Sequence, residues 1–127
     1  MKTILLVEND SDTRDIYATA LQHNGYTVLL AEDGSEGVRS ALEHEPDLIL
    51  MNLAMPKVDG LSAMVLLRDN ARTASIPIIA CTGFALHDGA ERAEDAGADA
   101  YLEKPVEPSR LVQEVERFIG PAVAAGI

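Results

Sequence analysis

The chain has 127 residues, which suffices for one domain with one hydrophobic interior and is too short for two. Ten lysine and arginine residues stand against 21 aspartate and glutamate residues, and the resulting net charge of -11 argues against direct binding to polyanionic nucleic acids. The apolar runs are far shorter than the roughly 20 residues that span a bilayer, and no signal peptide precedes the first one. We therefore expect a cytoplasmic protein without a membrane segment.

Short apolar runs alternate with longer amphipathic segments along the chain. The first run, 3–7, lacks polar alternation, as expected of a strand buried on both faces of a parallel sheet. The later runs are similar in length and separated by polar, glycine- or proline-containing turns. The predicted strands are 3–7, 26–30, 47–51, 76–82 and 99–102.

The segments between these runs have the spacing of amphipathic helices. The first carries apolar residues at Ile16, Ala20 and Leu21, and Asn24-Gly25 closes it. Ser35 is a candidate N-cap for the second, and Pro108 suits the first turn of the last. The predicted helices are 11–23, 35–44, 61–70, 86–96 and 108–119.

Five successive strand–helix units predict an α/β fold with a doubly wound parallel sheet and helices on both faces. We assign this domain to residues 1–120 and a small, apolar C-terminal tail to residues 121–127. In such folds, ligands bind at the carboxyl ends of the strands. The residues that follow the strands at this edge are Glu8, Asn9, Asp10, Asn52, Thr82 and Lys104.

The motifs at these positions resemble those of bacterial response-regulator receiver domains. The resemblance covers about residues 4–119, and the combination of motifs in this order is far more specific than any one alone. The motifs are Leu6-Val7-Glu8-Asn9-Asp10, Pro46-Asp47 through Met51-Asn52, Met55-Pro56 with Asp59-Gly60, Thr82, and Lys104-Pro105. The resemblance implies a flavodoxin-like fold with the strand order 2-1-3-4-5 and a free-standing, single-domain member of the chemotaxis-regulator type.

The resemblance also assigns roles to individual residues. Asn52 stands where the family has the aspartate that accepts a phosphoryl group, and Glu8 and Asn9 stand where two acidic residues help to hold Mg2+. Thr82 and Lys104 match the residues that contact the phosphate, and the Lys104-Pro105 bond is a candidate cis peptide. Tyr101 matches an aromatic residue that changes position with the state of the pocket.

The two asparagines change the chemistry that the resemblance implies. Transfer of a phosphoryl group requires an anionic oxygen nucleophile, whereas the amide oxygen of Asn52 is neutral. Two of three expected carboxylates have become amides, so we expect Mg2+ binding to be weak or lost and no other cofactor to be needed. Glu8 facing Lys104, beside two neutral amides, would leave the pocket nearly balanced in charge without a cation.

Several of these residues also admit simpler interpretations. Asp10 could replace a lost metal ligand, but capping of the first helix by Asp10 or Ser11 is the simpler interpretation. Asn52 could be a buried polar residue of an unrelated α/β domain, and Asn9 a residue of the helix entry. Thr82 could be the polar end of a strand, and Tyr101 an ordinary half-buried aromatic residue.

Cys81 and the three histidines carry less information. Cys81 is the single cysteine, cannot form an internal disulfide, and lies in an apolar run where it should pack as a small hydrophobic residue. His23, His44 and His87 show no metal-ligand spacing and are expected at the surface.

Three functions compete. The first is an atypical receiver, or pseudo-receiver, that acts in two-component or phosphorelay signalling as a phosphorylation-independent interaction module. Its partner would be a histidine kinase, a phosphotransfer protein or another signalling protein, and it would be a monomer or a weak homodimer. The second is a phosphorelay shuttle receiver whose acceptor has been substituted, naturally or by engineering. The third, an enzyme, is disfavoured because neither a nucleophilic aspartate at position 52 nor a recognisable catalytic motif is present.

Overall fold

The computed structural model describes residues 2–53, 55, 59–82 and 89–122, with Thr82 described by its backbone alone. Within these residues, five strands and five helices alternate. The strands are β1 (Thr3–Val7), β2 (Thr27–Ala31), β3 (Leu48–Asn52), β4 (Ile78–Thr82) and β5 (Ala100–Glu103). The helices are α1 (Ser11–His23), α2 (Gly34–His44), α3 (Gly60–Arg68), α4 (Gly89–Ala96) and α5 (Pro108–Ile119).

The strands form one parallel sheet in the order β2-β1-β3-β4-β5, which confirms the predicted fold and strand order. The register pairs Val7 with Met51 and Asn52 with Cys81. The carboxyl ends of β1, β3 and β4 therefore finish at the same edge of the sheet.

Two hydrophobic clusters pack on opposite faces of the sheet. One joins the sheet to α1 and α5 through residues such as Leu6, Leu21 and Leu111. The other joins it to α2, α3 and α4 through residues such as Val7, Met51 and Met64. Burial on both faces explains why β3 is an unbroken apolar run that ends in a buried asparagine.

Capping residues and glycines set the helix boundaries, and the spacing of apolar residues predicts only some of them. The predicted limits of α1 and α5 are confirmed, and Gly25 after α1 has a φ of 92°, a value that favours glycine. The prediction of Ser35 as an N-cap is wrong. Asp33 caps α2, because its carboxylate accepts a hydrogen bond of 2.8 Å from the backbone N–H of Glu36.

Several further details differ from the predictions, including one-residue shifts of β2, β3 and β5 and an α3 that ends at Arg68 rather than residue 70. Ile16, which has helical spacing with Ala20 and Leu21, is 53% exposed, and α1 instead buries Tyr17, Ala18 and Leu21. Strand β4 begins at residue 78 rather than 76, since residue 77 is a proline without an N–H to donate. The predicted start of the fourth helix at residue 86 lies outside the described residues.

Candidate functional site

Glu8 is the buried centre of the pocket at the carboxyl ends of the strands. It directly follows β1, and its backbone N–H donates to the carbonyl of Ala31 at 3.0 Å, which fixes the chain at this point. Its side chain is only 2% exposed, yet it is well satisfied. Oε2 accepts from the backbone N–H of Asp10 at 3.1 Å and from the Asn52 amide, and Oε1 accepts from Lys104.

Asn52 ends β3 and bridges two neighbouring side chains. Its Nδ2 donates to Glu8 Oε2 at 3.1 Å and to Asn9 Oδ1 at 2.7 Å. A carboxylate only accepts hydrogen bonds, so the contact with Glu8 requires Asn52 to present its NH2 group there. An aspartate at position 52 would bring a second carboxylate against Glu8 in place of these donors.

Lys104 supplies the positive charge of the pocket. It follows β5, its Nζ donates to Glu8 Oε1, and it is 15% exposed. The Lys104-Pro105 peptide bond is cis, as expected. Among the described residues, the pocket brings together the Glu8 carboxylate, the Lys104 ammonium group and the neutral amides of Asn9 and Asn52.

Asp10 caps α1. Its Oδ2 accepts from the Thr13 hydroxyl at 2.6 Å and from the Thr13 backbone N–H at 2.9 Å, which confirms the simpler interpretation of this residue. These two hydrogen bonds, with smaller contributions from Lys104 and Arg14, hold the pKa of the Asp10 carboxyl below its usual value. Asp10 therefore has a structural partner already.

Arg14 is a neighbour of the pocket that the sequence analysis did not identify. Its Nη1 donates to the Glu8 backbone carbonyl at 3.0 Å, and its Nη2 lies 3.4 Å from a carboxylate oxygen of Glu32. Its position one turn after the cap of α1 lets a long side chain reach back to the strand end, although spacing along the chain does not select that rotamer.

The two predicted switch positions are less fully described. Thr82 ends β4, but its side chain lies outside the described part of the structure. Tyr101 lies in β5, is half-buried, and lines a shallow groove of about 350 Å³ beside Ala90 and Glu94 of α4. Burial raises the pKa of Tyr101 above its ordinary value. Pro56, from the predicted motif at the β3–α3 connection, falls outside the described residues.

Cys81 and two of the three histidines lie where the sequence analysis placed them. Cys81 packs among the buried residues beneath α1 and α5, and burial raises the pKa of its thiol to about 12. His23 and His44 are exposed, and His87 lies outside the described residues. Among residues that the structure describes, no three histidine, cysteine or acidic side chains form a cluster able to hold a metal ion.

Comparison with known proteins identifies the family. The family model described as the response regulator receiver domain matches residues 4–116 of this chain. The chain belongs to this family. It is a receiver domain of two-component signalling, the class of module that interacts with histidine kinases and phosphotransfer proteins. None of the helices in the described ranges combines the length and apolar character needed to cross a membrane.

Several relatives match this receiver domain over most of their length. The polar-differentiation response regulator DivK of Brucella abortus (strain 2308) is 32% identical over 121 residues, covering 95% of this chain and 98% of DivK. The receiver domain of sensor histidine kinase PA1611 from Pseudomonas aeruginosa is 37% identical with a TM-score of 0.87, covering 94% and 98%. That domain was solved with a magnesium ion coordinated in its active-site cleft. Chemotaxis protein CheY4 of Vibrio cholerae is 26% identical with a TM-score of 0.87, covering 93% and 98%.

Proposed function

We propose that this receiver domain signals by docking to a partner protein and does not carry a phosphoryl group at position 52. The observation that supports this most directly is the hydrogen bonding of the Asn52 side chain. Its amide lies at the end of β3, in the centre of the pocket, and donates to both Glu8 and Asn9. In the family, this position holds the aspartate that becomes phosphorylated.

The chemistry of the carboxamide supports the same conclusion. A carboxylate attacks phosphorus with a full negative charge, whereas an amide oxygen is neutral and its nitrogen lone pair is delocalised. The NH2 group of Asn52 also faces the Glu8 carboxylate, which favours a donor over an anion at this position. The side chain stabilises the pocket as it stands and offers no nucleophile for phosphoryl transfer.

We further propose that the pocket does not use Mg2+. This ion prefers several anionic oxygens in a near-octahedral arrangement. Glu8 is the one carboxylate at the centre of the described pocket, and it already accepts from Lys104, Asn52 and the Asp10 backbone. Asp10 is occupied as a helix cap. The donor set therefore does not fit the ion, and Lys104 serves as the counter-ion of Glu8.

The proposed docking surface is the face formed by α4, β5 and α5. Tyr101 lies at its centre, half-exposed, beside the groove along α4. We expect the partner to be a histidine kinase, a phosphotransfer protein or another signalling protein in the cytoplasm, with no direct contact to nucleic acid. Since the message passes by contact, the domain requires no enzymatic activity of its own.

Phosphodonor labelling tests this proposal. The unaltered protein, incubated with acetyl phosphate and Mg2+, should keep its original intact mass. The matched variants are Asn52→Asp and the double variant Asn9→Asp with Asn52→Asp, of which the double variant should gain one phosphoryl group. Failure of the single variant would show that Asn9 also blocks the reaction. An acid-labile, alkali-labile adduct of one phosphoryl group on unaltered Asn52 would contradict the proposal.

The same variants address the alternative of a phosphorelay shuttle with a substituted acceptor. If Asn52→Asp alone restores rapid labelling, the rest of the site has kept its phosphotransfer chemistry, and the substituted-shuttle interpretation is favoured. Capture of the partner protein distinguishes further between the docking module and the substituted shuttle. Docking without phosphorylation predicts that unaltered protein retains its partner, and that Tyr101→Ala weakens retention.

A further inference from the structure

A partly apolar surface lies on the face of the molecule opposite α1 and α5. A groove of about 490 Å³ runs between α2 and α3, and we call its surroundings the α2–α3 patch. Its apolar side chains are Val38 and Leu42 of α2 and Leu66 of α3. Leu66 is 52% exposed, so a large apolar side chain of the groove faces solvent. A surface of this kind favours an interaction.

The charges of this patch differ from those of the molecule as a whole. The chain carries -11 in total, yet Arg39 and Arg72 stand here against Glu43 and the neighbouring Glu45, so the charges around the groove are balanced. Arg72 lies 3.4 Å from Glu45, a weak exposed pair. Arg39 is exposed and forms no ion pair within the described residues. An acidic surface can therefore approach here without meeting an excess of carboxylates.

The order of charges on α2 makes the patch complementary to itself. Arg39 and Glu43 are both exposed and lie four residues apart, one helical turn or about 6 Å along the axis. If two copies of α2 pack antiparallel about a two-fold axis, Arg39 of one copy faces Glu43 of the other, and the reverse contact forms at the same time. Leu66 from each copy then approaches the groove of its mate.

We propose that the α2–α3 patch is a symmetric self-association surface, with a second copy of this chain as its occupant. The inference does not depend on whether position 52 is phosphorylated. Self-pairing through α4 is disfavoured by comparison, because that helix exposes Glu91, Glu94 and Asp95 against the single cation Arg92. A symmetric contact there would bring like charges together.

Sedimentation velocity over a wide range of protein concentration tests the proposal. The unaltered protein should show a reversible monomer–dimer equilibrium. Leu66→Asp should be monomeric at every concentration. Arg39→Glu and Glu43→Arg should each raise the dimer dissociation constant about tenfold, because each creates two like-charge contacts across the axis. Combining the two reversals should return the constant to within about threefold of the unaltered value, since the charges become complementary again.

The matched control is Ile16→Asp, which places the same charge at an equally exposed apolar residue on the opposite layer. It should leave the dimer unchanged. Circular dichroism of each variant checks that the fold is intact. Three results would overturn the proposal. The unaltered protein could be strictly monomeric, or the dimer could survive Leu66→Asp. The double charge reversal could also dimerise no more tightly than the single reversals. None of these outcomes changes the phosphodonor result at Asn52.

Discussion

Asn52 and Lys104 meet on one buried carboxylate, and this contact sets the character of the pocket. Glu8 is 2% exposed and would be costly to bury as an anion without partners. Lys104 offsets its charge on Oε1, and Asn52 and the Asp10 backbone satisfy Oε2. The Glu8 carboxylate and the Lys104 ammonium group neutralise each other. Removing one of them leaves the other unpaired and should lower the free energy of unfolding more than removing both.

A double-mutant cycle at Glu8 and Lys104 tests this dependence. Glu8→Gln should lower the free energy of unfolding by about 2 kcal/mol, less than for a fully buried pair because Lys104 is 15% exposed. The double variant Glu8→Gln with Lys104→Met should lose less free energy of unfolding than the two single variants lose together. The difference should be at least about 1 kcal/mol. Urea unfolding measures all four proteins. Strict additivity would show that the two residues do not stabilise each other.

Much of this pocket could be predicted from the order of strands and polar residues. Glu8 and Lys104 each follow a strand and Asn52 ends one. Parallel strands bring their carboxyl ends together, so the convergence of these residues required no knowledge of side-chain positions. The hydrogen bond from Asn52 to Asn9 and the approach of Arg14 could not be predicted. They depend on rotamers chosen among several of similar energy, and spacing along the chain does not select among them.

At the scale of elements, the junction between β3 and α3 holds Asn52 in place. Gly60 opens α3, is buried, and donates its backbone N–H to the Leu53 carbonyl at 3.0 Å. A Cβ at Gly60 would contact the Asn52 carbonyl oxygen and lie 2.7 Å from the Leu53 Cα. Both are backbone atoms, which move only if β3 or α3 moves. The helix can start this close to the strand only with glycine at this position.

Gly60→Ala should therefore lower the free energy of unfolding by about 3 kcal/mol, as an overpacked backbone contact. Gly37→Ala in α2 is the matched comparison. A Cβ there would lie 2.8 Å from Val7 Cγ2, a side-chain atom that can shift, so the cost should be smaller, about 1 kcal/mol. Urea denaturation measures both. Equal costs for the two variants would show that α3 adjusts its position freely.

The boundaries of the helices show which features the sequence predicts and which it does not. The limits of α1 and α5 were predictable from a capping residue, a glycine stop and a proline in the first turn. Ser35 and Asp33 both have side chains suited to capping α2, and the backbone conformation of Asp33, which is extended, decides between them. The exposure of Ile16 depends on how α1 sits against α5, a tertiary property that helical spacing alone does not contain.

At the scale of the whole molecule, Cys81 reports on the integrity of the sheet and of the layer formed by α1 and α5. It lies in β4, an interior strand of the sheet, and packs in the cluster beneath α1 and α5. It is 4% exposed, and burial raises the pKa of its thiol to about 12, so the thiolate that reacts with disulfide reagents does not form at neutral pH in the folded state. Reaction should require the sheet and helices to separate.

Labelling of Cys81 by an aromatic disulfide reagent should therefore be on the order of 10⁴-fold slower in the native protein than in urea-unfolded protein, in line with the stability of a small domain. Its logarithmic rate should rise with urea at a slope equal to that of the equilibrium transition, because global unfolding exposes the thiol. Stopped-flow absorbance measures the rates. Rapid labelling without urea dependence would instead mean that β4 opens locally, next to Asn52, while the rest of the sheet stays folded.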